Sequence, residues 1–87
     1  MPTVFIPGPL RKLTGGAARL PARAGTVRGI IAELEVTFPG LRARLCDGDR
    51  LKPGLAVVMG TSIAASGLLA KVPADAEVHF IQSVGGG

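Results

Sequence analysis

The residues with the most evident chemistry stand at the end of the chain, where three glycines, Gly85–Gly87, follow a run of strand-forming residues. After Glu77 the only side chain that can carry charge is His79, so the fixed charge of this segment is the α-carboxylate of Gly87. Glycine has no Cβ, and another protein's backbone or a nucleotide can therefore approach it closely. At about 3.3–3.6 Å per extended residue, residues 82–87 reach roughly 20 Å. The pattern predicts a carboxylate that enters a partner's active site.

A frayed terminus or a leftover linker is the alternative explanation for these glycines. Against it, Val78–Ile81 consists of β-branched and aromatic residues typical of strands, and no polar spacer separates that strand from the glycines. This junction favours a working carboxylate. The sequence therefore predicts a folded domain at residues 1–82 and a flexible C-terminal glycine tail at residues 83–87.

The composition describes one small folded domain. The chain has 87 residues, of which 47% are hydrophobic, enough for a single core. No apolar run approaches the roughly 20 residues needed to span a bilayer, and Met1–Val4 does not begin a signal peptide. We therefore expect a cytoplasmic protein with no membrane partner.

Single copies of cysteine and histidine limit the chemistry of the folded part. Cys46 has no second cysteine for a disulfide, and with His79 alone there is no cluster for a metal site. Asp47 and Asp49 flank a glycine and are expected to be solvated turn residues. Cys46 is expected to be a buried, inert thiol. The pattern predicts no catalytic residues and no bound metal.

The net charge of +4 is unevenly distributed. Residues 1–52 carry nine of the ten Lys/Arg against four of the six Asp/Glu, a net +5, and residues 53–87 carry one against two, a net −1. Basic charge favours anionic partners. The aromatic residues are only Phe5, Phe38 and Phe80, however, and single-strand binders usually stack bases on aromatic side chains. We therefore predict a solvated basic face and no nucleic-acid partner.

The first third of the chain predicts a hairpin and then a helix. Val4–Ile6 begins a strand, Thr14–Gly16 forms the turn, and Ala17–Ala22 returns as an edge strand because of Pro21. Gly15 and Gly16 are not a phosphate loop, since no Lys-Ser/Thr pair or helix follows them. Thr26 is the predicted N-cap of a helix that ends at Pro39-Gly40. Its apolar face consists of Val27, Ile30, Ile31, Leu34 and Phe38.

The remaining elements complete a two-layer α+β fold. Leu41–Leu45 forms a short helix, and Leu55–Met59 is a near-continuous apolar strand and hence central. Residues 60–67 form a loop with Ile63 as an anchor, and residues 68–72 form a short strand or extended piece. The prediction is a mixed sheet of four or five strands with one main helix across it, the first and last strands pairing in parallel.

This order, with its glycine terminus, resembles the MoaD/ThiS family of ubiquitin-like β-grasp sulfur carriers, and within it the CysO-like actinobacterial branch. The resemblance runs almost end to end. It is carried by four stretches: residues 6–16 (IPGPLRKLTGG), 25–28 (GTVR), 38–45 (FPGLRARL) and 77–87 (EVHFIQSVGGG). The chain departs from the family pattern at residues 58–62 (VMGTS) and 73–76 (PADA), and Gln82 replaces a common proline. Those departures leave the docking partner open.

The resemblance implies a carrier protein rather than an enzyme. It implies that Gly87 is adenylated by a MoeB/ThiF-type adenylyltransferase and converted to a thiocarboxylate, which an acceptor enzyme then consumes. ATP and Mg²⁺ belong to the activating enzyme, and this chain binds no cofactor. Gly85 and Gly86 let the tail thread a narrow channel, Val84 anchors it at the entrance, and apolar residues on the exposed sheet face dock the partner.

Cysteine or another small-metabolite pathway is the first expectation for the acceptor. Three alternatives stay open. The chain is the small subunit of molybdopterin synthase, in an obligate complex with the synthase large subunit; it is a ubiquitin-like modifier conjugated to lysines; or it is a basic nucleic-acid-binding module, which would show steep salt dependence.

Overall fold

A sheet and a helix form the two layers of the structure, a computed structural model that describes residues 1–82, Gln82 by its backbone alone. The predicted tail, residues 83–87, lies outside the described residues. In chain order the elements are β1 (Thr3–Phe5), a first 3₁₀ helix (Gly8–Thr14), β2 (Arg19–Pro21), α1 (Val27–Thr37), α2 (Leu41–Leu45), β3 (Cys46–Asp47), β4 (Arg50–Leu51), β5 (Leu55–Met59), β6 (Ser62–Ile63), a second 3₁₀ helix (Gly67–Leu69) and β7 (Glu77–Gln82).

The main sheet has five strands in the order β2-β1-β7-β5-β6. β1 and β7 run parallel, with Val4 opposite Val78, and β5 runs antiparallel to β7, with Val57 opposite Phe80. The mixed sheet and the parallel pairing of the first and last strands are confirmed. The prediction that β5 is the central strand is wrong. β7 occupies the centre, and β5 lies between it and the two-residue strand β6.

Within residues 1–82, one face of the sheet is covered, and helix α1 covers it. The buried sheet residues Val4, Val57, Val78 and Phe80 are at most 4% exposed, and so are the four buried helix residues Val27, Ile30, Ile31 and Leu34. Each such side chain contributes roughly 1.5–3 kcal/mol on burial. β5 is apolar along its length, yet only Val57 is fully buried, because no element within residues 1–82 covers the opposite face of the sheet.

The predicted helix begins where expected and ends at Thr37, one residue before Phe38. The Thr26 Oγ1 accepts a hydrogen bond from the Gly29 N–H at 3.0 Å, which confirms the N-cap. Phe38 was predicted on the apolar face of the helix, but it lies beyond the last helical residue and is half-buried. The proline at position 39 explains this, because the residue before a proline is disfavoured in the α conformation.

One carboxylate holds the corner between the two helices. Glu35, in the last turns of α1, accepts hydrogen bonds from the backbone N–H of Arg42 at 2.8 Å and of Gly40 at 3.0 Å. Gly40 has a φ of +100°, a conformation that other residues rarely adopt. These two backbone hydrogen bonds hold the pKa of Glu35 below its ordinary value of 4.5. The short helix predicted at Leu41–Leu45 is confirmed, and the corner places Leu41 and Leu45 in the core.

The loops differ most from expectation. A 3₁₀ helix interrupts the predicted first hairpin, and β3 and β4 form a hairpin of their own where only a turn was expected. Ile63 is 67% exposed in β6, so its predicted role as an anchor is wrong. Residues 67–69 form a 3₁₀ helix instead of a strand. These elements are two to seven residues long, too short for hydrophobic periodicity to identify them.

Among residues 1–82, no helix has the length and apolar character required to cross a membrane.

We predict that Glu35→Gln lowers the thermal unfolding midpoint at neutral pH, because Gln offers one acceptor oxygen where two N–H groups require two. A carboxylate whose pKa is depressed in the folded state stabilises above its unfolded pKa, and this stabilisation is lost as pH falls through the folded value. The difference in midpoint between the two proteins should therefore shrink as the pH falls below about 4.5. Circular dichroism melts across pH 3–8 measure it, with Asp47→Asn, an exposed carboxylate, as the control. A pH-independent difference would contradict the capping role.

Candidate functional site

The predicted tail leaves the sheet from its central strand. The last described residue, Gln82, pairs with Leu55 at the start of β5, and the end of β1 lies on the other side of β7. β7 is therefore paired with β1 from Glu77 to His79 and with β5 from Val78 to Gln82. Val84, Gly85, Gly86 and Gly87 lie outside the described residues, so the roles assigned to them stay predictions.

Strand alternation directs every second residue of β7 to the uncovered face of the sheet. Val78 and Phe80 are buried under α1, whereas His79 and Ile81 face outward. The strand registers place one outward residue from each of the five strands in a single row. From one edge of the sheet to the other the row is Arg19, Phe5, His79, Val58 and Ile63.

His79 is held at the centre of this row. Its ring stacks on the ring of Phe5 with 4.1 Å between centroids and an interplanar angle of 11°. Its Nε2 lies 3.6 Å from a carboxylate oxygen of Glu77, and its side chain is 36% exposed. These contacts fix the orientation of the imidazole and give it a packing role on the sheet surface.

An apolar surface surrounds His79 on the uncovered face. Its members, which we call the sheet patch, are Phe5, Ala56, Val58, Ile63 and Ile81. Ile81 is 43% exposed and Ile63 67% exposed, while the other three are half-buried. Contiguous exposed apolar surface marks sites of protein association. The strand registers identify the residues of this face, and partner docking on it, which the resemblance implied, stays a prediction.

The remaining candidate groups have structural environments. Cys46 is 8% exposed, and burial raises the pKa of its thiol, an effect that the Arg42 guanidinium partly opposes. A buried thiol with a raised pKa is a poor nucleophile. Asp49, in the turn between β3 and β4, pairs with Arg28 at 3.5 Å. The described part of the chain holds no cluster of three or more metal-ligating side chains.

A groove of about 440 Å³ opens beside the end of β7. Sequence analysis missed it because its walls come from four separate segments: the first 3₁₀ helix with the residue before it, α2, the loop after β4, and β5. The lining residues are Pro7, Pro9, Leu10, Arg44, Leu45, Lys52 and Leu55. It is therefore an apolar groove with two cations and no carboxylate in its lining.

Comparison with solved structures identifies near relatives. The chain superposes on CysO in the BexX/CysO complex of Amycolatopsis orientalis with a TM-score of 0.90, at 31% identity over 100% of both chains. It superposes on CysO of Mycobacterium tuberculosis with a TM-score of 0.87, at 26% identity over 97% of this chain and 100% of that one. No protein-family model and no curated protein sequence matches the chain.

A more distant relative shares the same fold. The small archaeal modifier protein 1 of Methanosarcina acetivorans matches with a TM-score of 0.76, at 20% identity over 99% of this chain and 95% of that one. At that identity the likeness concerns the fold alone. The two CysO matches are stronger, since one exceeds 30% identity along the whole of both chains. The chain therefore belongs to the ubiquitin-like β-grasp sulfur carriers of the MoaD/ThiS family, alongside CysO.

Proposed function

We propose that this chain carries sulfur as a thiocarboxylate on Gly87. A MoeB/ThiF-type adenylyltransferase activates the Gly87 carboxylate, and an acceptor enzyme consumes the sulfur in the biosynthesis of cysteine or another small metabolite. The observation that carries the proposal is the match to CysO at 31% identity along both chains, combined with a glycine terminus that follows a central strand. In this proposal the chain is a substrate and carrier, and the catalytic groups belong to its partners.

The chemistry follows from the weakness of a carboxylate as an acyl donor, since its leaving group would be oxide. The carboxylate oxygen attacks the α-phosphorus of Mg-ATP, which releases pyrophosphate and forms an acyl-adenylate. Hydrosulfide, or the terminal sulfur of a persulfide whose S–S bond is then reduced, attacks the acyl carbon and AMP leaves. ATP and Mg²⁺ belong to the activating enzyme. The resulting thiocarboxylate is a soft nucleophile suited to transfer to an acceptor.

The architecture of the described residues supports a division of labour between body and tail. β7 pairs with β5 as far as Gln82 and with β1 as far as His79, so the body presents the start of the tail from a fixed position. At about 3.3–3.6 Å per residue, residues 83–87 reach roughly 17 Å beyond that position. The tail can then occupy a partner's active site while the sheet patch rests on the partner's surface.

The decisive measurement is intact mass after incubation with ATP, a MoeB/ThiF-type enzyme and sulfide. We expect a mass gain equal to the exchange of one oxygen for sulfur, located in the C-terminal peptide that ends at Gly87. The matched control is Cys46→Ala, because Cys46 is the only thiol that could carry sulfur as a persulfide. The gain should persist in Cys46→Ala and survive dithiothreitol, which would remove a persulfide.

Each alternative function predicts a different observation. A gain that disappears in Cys46→Ala, or no gain with an enzyme active on another carrier, would contradict the proposal. Co-purification with a larger subunit that forms molybdopterin would assign the chain to molybdopterin synthase. Ladders of isopeptide-linked proteins would identify a modifier. BexX accompanies CysO in the Amycolatopsis orientalis crystal, and we propose that a partner enzyme likewise associates with this chain.

If the tail threads a narrow channel of the adenylyltransferase, Gly86→Val or deletion of Gly87 should abolish the AMP adduct. Neither change should alter the unfolding midpoint of the domain. A side chain at position 86 would meet the channel walls, and deletion moves the carboxylate by one residue. The matched control is Gly25→Val, a glycine with no positive φ and no atom within 4 Å of an added Cβ. A retained adduct in Gly86→Val would contradict threading through a channel.

Docking on the sheet patch predicts that Ile81→Glu raises the Kd for the adenylyltransferase roughly tenfold or more, because it places a charge in a desolvated interface. Val36→Glu is the matched control, since Val36 is 84% exposed on α1, away from this face. Isothermal titration calorimetry with both variants measures the difference. Equal losses in both variants would contradict a docking role for the patch.

A further inference from the structure

Three cations stand at the end of the sheet from which the tail departs. Arg44 lies on α2 and Lys52 follows β4, and both line the groove next to Leu55, the strand partner of Gln82. Arg11 lies at the same end, where its Nε donates a hydrogen bond to the Ile6 carbonyl oxygen at 3.1 Å. We call Arg11, Arg44 and Lys52 the basic collar.

Two backbone hydrogen bonds hold the peptide groups of Lys52. The Lys52 N–H donates to the Leu45 carbonyl at 3.0 Å, and the Lys52 carbonyl accepts from the Leu55 N–H at 3.0 Å. The side chains of Arg44 and Lys52 are exposed. Within residues 1–82, neither lies within ion-pair distance of a carboxylate, whereas Arg28 is paired with Asp49. The collar is thus a group of like charges in which Arg44 and Lys52 have no carboxylate partner within the described residues.

The opposite end of the sheet has a different character. Asp75 and Glu77 line the pocket at the start of β7, and Asp75 lies 3.7 Å from the amino terminus of Met1. The two carboxylates that follow residue 52 therefore lie at the far end of β7 from the tail. The start of β7 is therefore surrounded by carboxylates, and its end, from which the tail continues, is surrounded by cations.

We propose that the basic collar binds carboxylates that surround the entrance to the active site of the enzyme that receives the tail. This inference rests on the proposed function, because a tail of roughly 17 Å brings the surface around the end of β7 against that entrance. The cations meet the acidic rim, and the apolar walls of the groove accept an apolar side chain between them. Charges at the rim of an interface act mainly on the association rate and on the salt dependence of binding.

A pair of charge-reversal variants with equal net charge tests the collar. Arg44→Glu/Lys52→Glu reverses two collar cations, and Arg23→Glu/Lys71→Glu reverses two exposed cations outside the groove. Both lower the formal net charge from +4 to 0, so the overall field changes equally. Circular dichroism melts verify that both fold.

Steady-state adenylation by a MoeB/ThiF-type enzyme is measured from 25 to 400 mM NaCl. We expect Arg44→Glu/Lys52→Glu to lower kcat/KM roughly tenfold at low salt, mainly through KM, and to flatten its salt dependence. Arg23→Glu/Lys71→Glu should stay within about twofold of wild type. Equal effects of the two variants, or no effect of the collar variant, would overturn the inference while leaving the proposed function intact.

Direct binding separates failure of the collar from failure of the proposed function. Binding of the full chain to the enzyme by biolayer interferometry needs no adduct. Salt-dependent binding that is lost in Arg44→Glu/Lys52→Glu supports the collar even if no adduct forms with Gly87. A fluorescent 20-nucleotide single strand is the second probe. Its binding to wild type with higher affinity than the enzyme, and its loss in the collar variant, would assign the collar to nucleic acid and overturn the inference.

Discussion

The pairing of β7 with both β1 and β5 is the constraint on which the rest of the molecule depends. It closes the sheet between the two ends of the chain, with Val4 opposite Val78 on one side and Val57 opposite Phe80 on the other. A parallel pair requires a long crossover, and here the segment between β1 and β7 supplies α1 to cover the sheet. The same pairing that builds the core therefore fixes the point from which the tail departs.

The two faces of β7 serve different purposes. Its inward residues, Val78 and Phe80, join the core under α1, and its outward residues, His79 and Ile81, belong to the surface proposed to meet a partner. Since side chains alternate along a strand, a shift of one residue in register would exchange the two sets. Packing of the core residues therefore also fixes which residues of β7 face outward. In the proposed function, this gives the chain a reproducible way to present its terminus.

The apolar sheet patch and the basic collar both lie near the end of β7, from which the tail continues. The sheet patch lies on the uncovered face, and the basic collar lies at the end of the sheet, built from α2, the first 3₁₀ helix and the loop after β4. Apolar contact contributes most of the binding free energy of protein interfaces, and rim charges govern encounter and selectivity. In the proposed function an adenylyltransferase and an acceptor enzyme recognise the chain in turn, and each can combine the two features differently.

Local patterns in the sequence were sufficient for the long elements and for the proposed chemistry: the N-cap and apolar stripe of α1, the strands β1 and β7, and the terminal glycines. Those signals are carried by neighbouring residues, so they can be read without a fold. The central position of β7, the exposure of Ile63 and the groove beside Leu55 were decided by tertiary structure. The physical reason is that burial and strand order depend on which distant segments pack together, whereas the end of α1 before Phe38 follows from the neighbouring proline in the sequence.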